Sequence, residues 1–363
     1  MRIVSPLLKN AVYPFLSKSG VLRHLPAQGL AVVTYHGVLP EGYTPIDPAL
    51  DGNLITAESL RCQLHLLKKH YDVISPDDFL AWREGKSELL RRAVLVTCDD
   101  GLLNCLTDML PVLRREEVRC LFFVTGASAG DLPTTLWYED LSRIFLGAAN
   151  GTYAISYGTV TIELELNSPE SRRASWWSSL KRLSQVGGEV RKGFLLEARS
   201  RLGINSDSHL ERRDSALSRR FGLLTATELN ELSAVGMTIG AHTMTHPMLS
   251  QAPSELAYME IAESRARLQD VLKKPVWAFA YPFGNPQSVT SQVLSMPKQA
   301  GFTAAFLNCG GGLGTPLPDF ALPRLHVTSS MSLGEFEAHV SGLYAWLQRA
   351  SHQKAQPLGL VEA

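Results

Sequence analysis

Short apolar runs rich in β-branched residues alternate with segments of helical periodicity, and this alternation constrains the fold more than any other feature of the chain. It is typical of parallel α/β proteins, in which each strand is followed by a helix. About seven such strands favour a (β/α) barrel over an open sheet. The predicted strands are Leu30–Tyr35, Ala93–Cys98, Arg119–Val124, Met237–Ala241, Val276–Tyr281, Phe302–Phe306 and Leu322–Val327. The predicted helices are Ala57–His70, Leu102–Arg115, Ala226–Ala234, Ser254–Leu272, Ser288–Ala300 and Leu333–Leu347.

One long stretch, residues 127–222, interrupts this alternation and is interpreted as a helical insertion between two barrel strands. It contains a predicted hairpin, and its second half, residues 168–222, holds twelve Lys and Arg against six Asp and Glu. A solvated helical face explains this charge most simply, with contact to an anionic lipid or a phosphate-bearing substrate as the alternative. The predicted organisation is an N-terminal amphipathic helical segment (1–29), a barrel with its insertion (30–347) and a disordered tail (348–363).

Charge and composition exclude several functional classes. The 363 residues carry 35 Lys and Arg against 35 Asp and Glu, so binding of nucleic acid through a basic surface is not expected. Five cysteines without a C-x-x-C pair indicate neither a disulfide framework nor a thiolate zinc site. No apolar run reaches the 18–20 residues of a membrane span. We therefore expect a cytoplasmic protein whose N-terminal helix packs on the barrel, with peripheral contact to the inner face of the membrane as the alternative.

Polar side chains follow three of the predicted strands directly. Asp99 and Asp100 end one strand, His242 and His246 follow another, and Tyr281-Pro-Phe283-Gly ends a third. In α/β barrels the active site is built at this end of the strands. Adjacent carboxylates that leave a buried strand repel each other, and a metal ion beside them removes that difficulty. The alternatives are a helix N-cap for the acidic pair and ordinary loop histidines.

The two histidines are spaced as H-x-x-x-H, but Pro247 after His246 disfavours a helix there. The motif is therefore predicted to be a loop rather than the helical zinc-binding motif of metalloproteases. Two imidazoles and a carboxylate would leave positions open for water and substrate. Zinc suits such a set, as do other first-row metals.

Three motifs together resemble the polysaccharide deacetylase family of carbohydrate esterases. They are Thr97-Cys-Asp-Asp-Gly101, His242-Thr-Met-Thr-His246 and Tyr281-Pro-Phe-Gly284, with further similarity at Tyr35-His36, Phe122-Phe-Val124 and Leu322-Pro-Arg-Leu-His326. The resemblance spans roughly residues 30–125 and 223–345. It implies a distorted (β/α) barrel and metal-dependent hydrolysis of acetyl groups on an N-acetylated glycan.

The resemblance also implies individual roles. Asp99 is the expected general base, and Asp100, His242 and His246 are the expected ligands of one divalent metal ion, zinc by preference. The backbone N–H of Phe283 is the expected donor to the oxyanion. Tyr281 and Trp137 are further candidates for substrate contact, Trp137 by stacking on a sugar ring, although an aromatic pair such as Trp137-Tyr138 more often belongs to a core.

The chain departs from the family pattern at three points. Cys98 replaces the usual Phe, Ala280 stands where many members have an Arg that tunes the base, and Arg324 occupies the position of the expected acid histidine. Arginine remains protonated near neutral pH and cannot be the acid. We therefore predict that Arg324 replaces the missing positive charge near Asp99, and that His326 or His36 protonates the leaving amine.

The leading prediction is a carbohydrate de-N-acetylase that acts on carbon–nitrogen bonds of a polysaccharide or glycan precursor. Two alternatives are a catalytically silent glycan-binding protein of the same fold and a related barrel amidase that acts on a small non-sugar amide. The sequence leaves open the sugar, the choice between N- and O-deacetylation and the oligomeric state.

Overall fold

The computed structural model describes residues 6–25, 27–45, 51–204 and 212–343, together with Leu347. Its main sheet is a parallel, nearly closed barrel, which confirms the predicted fold class. The strands run in the spatial order β10, β9, β8, β7, β4, β3, β1, β11, and β2 pairs with β3 outside this ring. Their bounds are β1 Gly29–Tyr35, β2 Asp72–Ile74, β3 Arg92–Cys98, β4 Leu121–Val124, β7 Thr238–Ala241, β8 Ala278–Ala280, β9 Ala304–Leu307, β10 Leu322–Pro323 and β11 Leu325–His326.

The last strand of the ring pairs with β9 on one side and with β1 on the other, and it is interrupted once, at Arg324. Before it, Leu322 pairs with Phe306 of β9, and after it, Leu325 pairs with Val33 of β1. Because β10 and β11 form one interrupted strand, the ring has seven positions around its circumference, as the sequence predicts. The three-residue β2 is absent from the predicted strands because it is too short to leave a periodic signal.

Strand side chains alternate between the interior of the barrel and the layer under the helices. Val32, Leu95, Phe123, Ala280 and Phe306 belong to one buried cluster, which fills the interior. Their neighbours along the strands belong to a second cluster with the surrounding helices. The interior positions at the C-terminal ends of the strands are polar instead, and they include Asp99 and Arg324.

Helices surround the barrel and begin at side-chain caps that the sequence supplies. Thr56, Ser75 and Thr225 each accept a hydrogen bond from a main-chain N–H in the first turn of a helix. No helix in the described part of the chain is long and apolar enough to cross a membrane. The outer helices are α2 Ala57–His70, α3 Pro76–Arg83, α4 Leu110–Arg115, α9 Ala226–Ala234, α10 Ser254–Leu272, α11 Ser291–Gln299 and α12 Leu333–Val340.

The insertion forms a separate helical unit with a two-stranded antiparallel hairpin. Its own buried cluster includes Ile144, Trp176 and Phe194 and is distinct from the barrel clusters. Its two ends meet at a bridge between Thr135 and Gly222, so the unit leaves and rejoins the barrel at one place. Its elements are α5 Trp137–Gly147, β5 Thr152–Tyr157, β6 Val160–Glu165, α6 Pro169–Ser184, α7 Gly188–Leu202 and α8 Ala216–Phe221.

The N-terminal segment contains α1 (Tyr13–Lys18) and packs against α12 of the barrel. Tyr13 lies beside His339, and Glu337 accepts hydrogen bonds from Ser17 and, at 2.8 Å, from Arg23. Phe15 on the opposite side of the helix is 70% exposed. The segment therefore packs against the outer helix layer of the barrel. The predicted tail, 348–363, lies outside the described residues.

Candidate metal centre and active site

Three side chains predicted as metal ligands converge at the C-terminal end of the barrel. Asp100 follows β3, while His242 and His246 lie in the loop after β7, and all three are buried. Oδ1 of Asp100 lies 3.6 Å from Nε2 of His242 and 3.5 Å from Nε2 of His246. Metal–ligand bonds of 2.0–2.2 Å at tetrahedral angles would separate ligand atoms by roughly 3.4 Å. The two distances from Asp100 therefore match the spacing around a zinc-sized ion, and all three ligand atoms lie within 4.8 Å of one another.

The hydrogen bonds of His242 prepare that ring to bind a metal. Its Nδ1 lies 2.7 Å from the carbonyl oxygen of Ala280, which can only accept a hydrogen bond, so Nδ1 carries the proton. Nε2 is thereby left with a free lone pair directed at Asp100, an arrangement common among metal-binding histidines. Burial lowers the pKa of His242 and holds that of His246 well below its usual range, which keeps both rings neutral.

Asp100 remains a carboxylate at neutral pH. Burial raises its pKa to about 6, against the opposing effects of His242 and the nearby Tyr138 hydroxyl. An ionised carboxylate and two neutral imidazoles are the protonation states that a divalent cation needs from these ligands. The chemistry of the donor set thus fits the expected metal.

The backbone around the three donors is held in unusual conformations. Asp100, Thr243, His246 and Phe283 all have positive φ, between 57° and 78°, although none is glycine. Each such residue costs on the order of 1–3 kcal/mol and persists only where its surroundings hold it, which is most common at functional sites.

Glu260 of α10 supplies much of that support for the loop after β7. Its Oε2 accepts hydrogen bonds of 2.8 Å from the main-chain N–H groups of Met244 and Thr245, and its Oε1 accepts one from the Thr245 hydroxyl. Within the loop, the N–H of His246 donates to the hydroxyl of Thr243 at 3.1 Å. The loop between the two histidines is therefore anchored both by α10 and by its own side chains.

Asp99 and Arg324 form a buried, bidentate ion pair beside the three donors. Nη1 and Nη2 of Arg324 donate to the two carboxylate oxygens at 2.7 and 2.6 Å. Arg324 has no exposed surface and lies over the ring of Phe123, with its Nε donating to the carbonyl of Leu307. Burial alone would raise the pKa of Asp99, but the guanidinium outweighs burial and lowers it to about 2. The positive charge expected near Asp99 thus comes from Arg324, while the interior position of Ala280 carries none.

His36 and His326, the two candidate acids, lie together at the ends of adjacent strands. Their ring centroids are 4.7 Å apart, and His326 is on β11, whose partner is β1. His36 Nδ1 and His326 Nε2 are buried without a hydrogen-bond partner among the described residues. Burial lowers the pKa of both rings, that of His326 to about 3. Each ring thus holds one nitrogen free for a ligand or a proton.

The insertion contributes two aromatic residues that cover His246. The ring of Tyr138 lies 5.0 Å from that of His246, and Nε1 of Trp137 donates to the His246 carbonyl at 3.0 Å. One face of Trp137 is covered by the guanidinium of Arg191. Trp137 is therefore nearly buried and supports the loop that carries His246. The ring face covered by Arg191 is not open for the predicted stacking on a sugar.

A buried charge cluster fixes the helix that carries these two residues. Arg220 of α8 pairs with Glu139 of α5 at 3.0 Å and with Asp51 of the barrel at 2.7 Å. All three side chains are buried. The cluster thereby ties both ends of the insertion to the barrel next to the site.

Phe283 lies at the site, whereas the Tyr281 side chain does not. The Phe283 ring packs edge-on against His246 at 5.1 Å, and its main-chain N–H has no partner among the described residues. Tyr281 is 1% exposed, and its hydroxyl donates to the carbonyl of Phe320 in the helix layer. This corrects the expectation of substrate contact for Tyr281. The reason is strand alternation, since interior-facing Ala280 turns its neighbour outward.

One known protein family matches the part of the chain that carries the two histidines. The family model described as polysaccharide deacetylase matches residues 203–305, which include the H-x-x-x-H and Y-P-F-G motifs. The chain contains a polysaccharide deacetylase domain. By this domain it is a polysaccharide deacetylase-like hydrolase, of the class that acts on carbon–nitrogen bonds of amides. No curated protein matches the chain.

Solved structures of similar fold cover most of the chain. The Streptococcus pyogenes deacetylase PplD in complex with acetate is 15% identical, with a TM-score of 0.53 over 87% of this chain and 99% of its own. IcaB from Ammonifex degensii is 19% identical, with a TM-score of 0.52 over 88% and 99%. A de-N-acetylase from Aggregatibacter actinomycetemcomitans is 15% identical, with a TM-score of 0.50 over 85% and 99%. At these identities the likeness is one of fold.

Several residues at the site leave no usable signal in the sequence. Glu260 and Arg220 reach it from elements whose own periodicity describes only an ordinary helix. Tyr138 is recognisable only as one half of an aromatic pair. A buried acid such as Glu139 within an apolar helix is the single local hint, because charged residues are rarely buried without a partner.

Proposed function

We propose that this protein removes acetyl groups from an N-acetylated sugar of a polysaccharide or glycan precursor in a metal-dependent reaction. The observation that carries the proposal is the Asp99–Arg324 pair, which holds an ionised carboxylate next to three converging metal-type donors. Asp100, His242 and His246 would hold a divalent metal ion, for which we propose zinc, and that ion would supply a Lewis acid for the acetyl carbonyl. Among the structures of this fold, PplD is a deacetylase and the Aggregatibacter protein a de-N-acetylase, which is consistent with the proposal.

The proposal assigns the proton transfers and the oxyanion hydrogen bond to individual residues of the chain. Asp99 accepts a proton from the water that attacks the acetyl carbon, and its low pKa keeps it ionised for that step. The N–H of Phe283 donates to the oxygen that becomes negative. His36 or His326, whose lowered pKa the negative charge developing at the reacting carbon would raise again, then protonates the nitrogen as the carbon–nitrogen bond breaks, which releases acetate and a free amine.

A catalytically silent glycan-binding protein is the main alternative. The absence of an Arg at position 280 favours a silent protein, but Arg324 supplies an equivalent positive charge beside Asp99 from another strand.

We further propose a cytoplasmic location with peripheral membrane contact through the exposed N-terminal residues Leu7 and Phe15, which are 68% and 70% exposed.

The direct test combines metal analysis with acetate release from N-acetylglucosamine oligomers. The protein should bind one divalent metal per chain and release acetate, and His246→Ala should lose both properties while it keeps its circular dichroism spectrum. The fold should survive because the ligand lies in a loop rather than in the core. The matched control is His65→Ala, on the exposed face of α2, which should behave like the unaltered protein.

Other outcomes identify the alternatives. Bound metal and bound glycan without acetate release would indicate the silent binding protein. Hydrolysis of small linear or cyclic amides, but not of the oligomers, would indicate an amidase with another substrate. Full metal retention in His246→Ala would remove that residue from the site.

The identity of the acid can be decided by pH–rate profiles of His36→Gln and His326→Gln. The variant that lacks the acid should lose the basic limb of kcat, because no imidazolium then becomes deprotonated as the pH rises. The other variant should keep a bell-shaped profile and serves as the matched control. Bell-shaped profiles in both variants would contradict the proposal and leave water as the proton donor.

A further inference from the structure

A cleft lies between the insertion and the loop after β7 that carries His242 and His246, the candidate metal-binding loop. It has a volume of about 490 Å³ and is lined by residues at the start of α5, by one face of α7 and by Thr245. Thr245 directly precedes His246, and Trp137, another lining residue, donates to the His246 carbonyl. The cleft therefore shares a wall with the candidate active site.

Arg191 of α7 lines this cleft and is 3% exposed. Its guanidinium lies 4.7 Å from the centre of the Trp137 ring, and its Nη1 is buried without a hydrogen-bond partner among the described residues. Burial lowers the pKa of Arg191 to about 10, partly offset by Glu260. A buried guanidinium is costly unless an anion and hydrogen-bond acceptors accompany it.

The acidic residues near the cleft are engaged elsewhere or lie at its exposed rim. Both oxygens of Glu260 accept hydrogen bonds from the metal-binding loop. Asp140 pairs with Arg199, and Glu189 lies at the exposed surface, as does Lys192 next to Arg191. Arg191 thus has no direct carboxylate partner among the described residues, and its positive charge beside the cleft suits an anion from outside the chain.

We propose that this cleft is a subsite for an anionic group of the glycan, a phosphate or a carboxylate, carried on a unit next to the sugar that is deacetylated. The ligand's oxygen atoms would complete the hydrogen bonding of Arg191, with Lys192 adding charge at the rim. This substrate class rests on the proposed function, whereas the anion site itself is defined by Arg191, Trp137 and Lys192. Arginine suits both groups because its fork of N–H donors matches their oxygen atoms.

The experiment measures binding by isothermal titration calorimetry and needs no turnover. The probes are N-acetylglucosamine 1-phosphate, glucuronic acid and uncharged N-acetylglucosamine. The protein should bind one anionic probe at least about tenfold more tightly than the neutral sugar, and the preferred probe distinguishes phosphate from carboxylate. Arg191→Met should abolish this difference, and Lys192→Met should reduce it.

The matched control is Arg201→Met, which removes an exposed arginine from the same helix and should leave the preference intact. Thermal unfolding separates a binding role from a structural one. Removal of an uncompensated buried charge should raise Tm or leave it unchanged, whereas a lowered Tm with unchanged anion preference would show that Arg191 is purely structural.

Equal affinity for charged and neutral probes in the unaltered protein would overturn the inference, as would an unchanged preference in both Arg191→Met and Lys192→Met. If Arg191→Met does not fold, Lys192→Met and the salt dependence of binding decide the question. Anion binding without acetate release would contradict the proposed function alone, and acetate release without anion preference would contradict the subsite alone.

Discussion

Replacement of Asp99 by Asn is expected to lower kcat by about 10²–10⁴, the usual contribution of a general base. Asn has nearly the shape of Asp but cannot accept a proton from water. The metal content should stay near one per chain, since the three donors belong to Asp100, His242 and His246. Single-turnover acetate release and metal analysis on the same preparation measure both effects.

The matched variant for this experiment is Asp100→Asn, one residue along the chain. It should lose metal as well as activity, because the substitution removes the carboxylate nearest to both imidazoles. If Asp99→Asn lost the metal and Asp100→Asn kept it, the two assigned roles would have to be exchanged.

Replacement of Arg324 by Met is expected to destabilise the fold by about 3–5 kcal/mol. The ion pair lies inside the barrel, where Arg324 is 0% and Asp99 2% exposed, and the substitution leaves a buried carboxylate without its partner. Urea unfolding measures the loss. The double variant Asp99→Asn/Arg324→Met should recover much of it, because it removes the unpaired charge together with its partner.

An activity readout distinguishes this effect from general damage to the barrel. Arg324 lowers the pKa of Asp99 to about 2, so removal of Arg324 should raise that pKa. The proposed base acts in its ionised form, so the acid limb of kcat/KM should move to higher pH. The control is Arg61→Met, which breaks an exposed ion pair on α2 and should change stability little. An acid limb that stays in place would contradict the pairing.

Local sequence patterns determined the class of fold and the metal-type donors. Strand periodicity is encoded by neighbouring residues, and a polar residue directly after a parallel strand lies at the same edge as those after other strands. For this reason the sequence alone was enough to place Asp99, Asp100, His242 and His246 together. The helical insertion and its hairpin follow from the same local signals.

Only the tertiary structure decided which side chains surround those donors. Arg324 reaches Asp99 because the interrupted last strand closes the ring beside β1, a contact between residues 225 positions apart in the chain. Trp137 reaches the loop that carries His246, and Arg191 covers the ring of Trp137, because the insertion folds back over that loop. Such contacts depend on which elements become neighbours, and helical or strand periodicity carries no information about that choice. The sequence by itself therefore determined the barrel and its metal-type donors, and the tertiary structure decided the partner of Asp99, the cover over His246 and the cleft beside them.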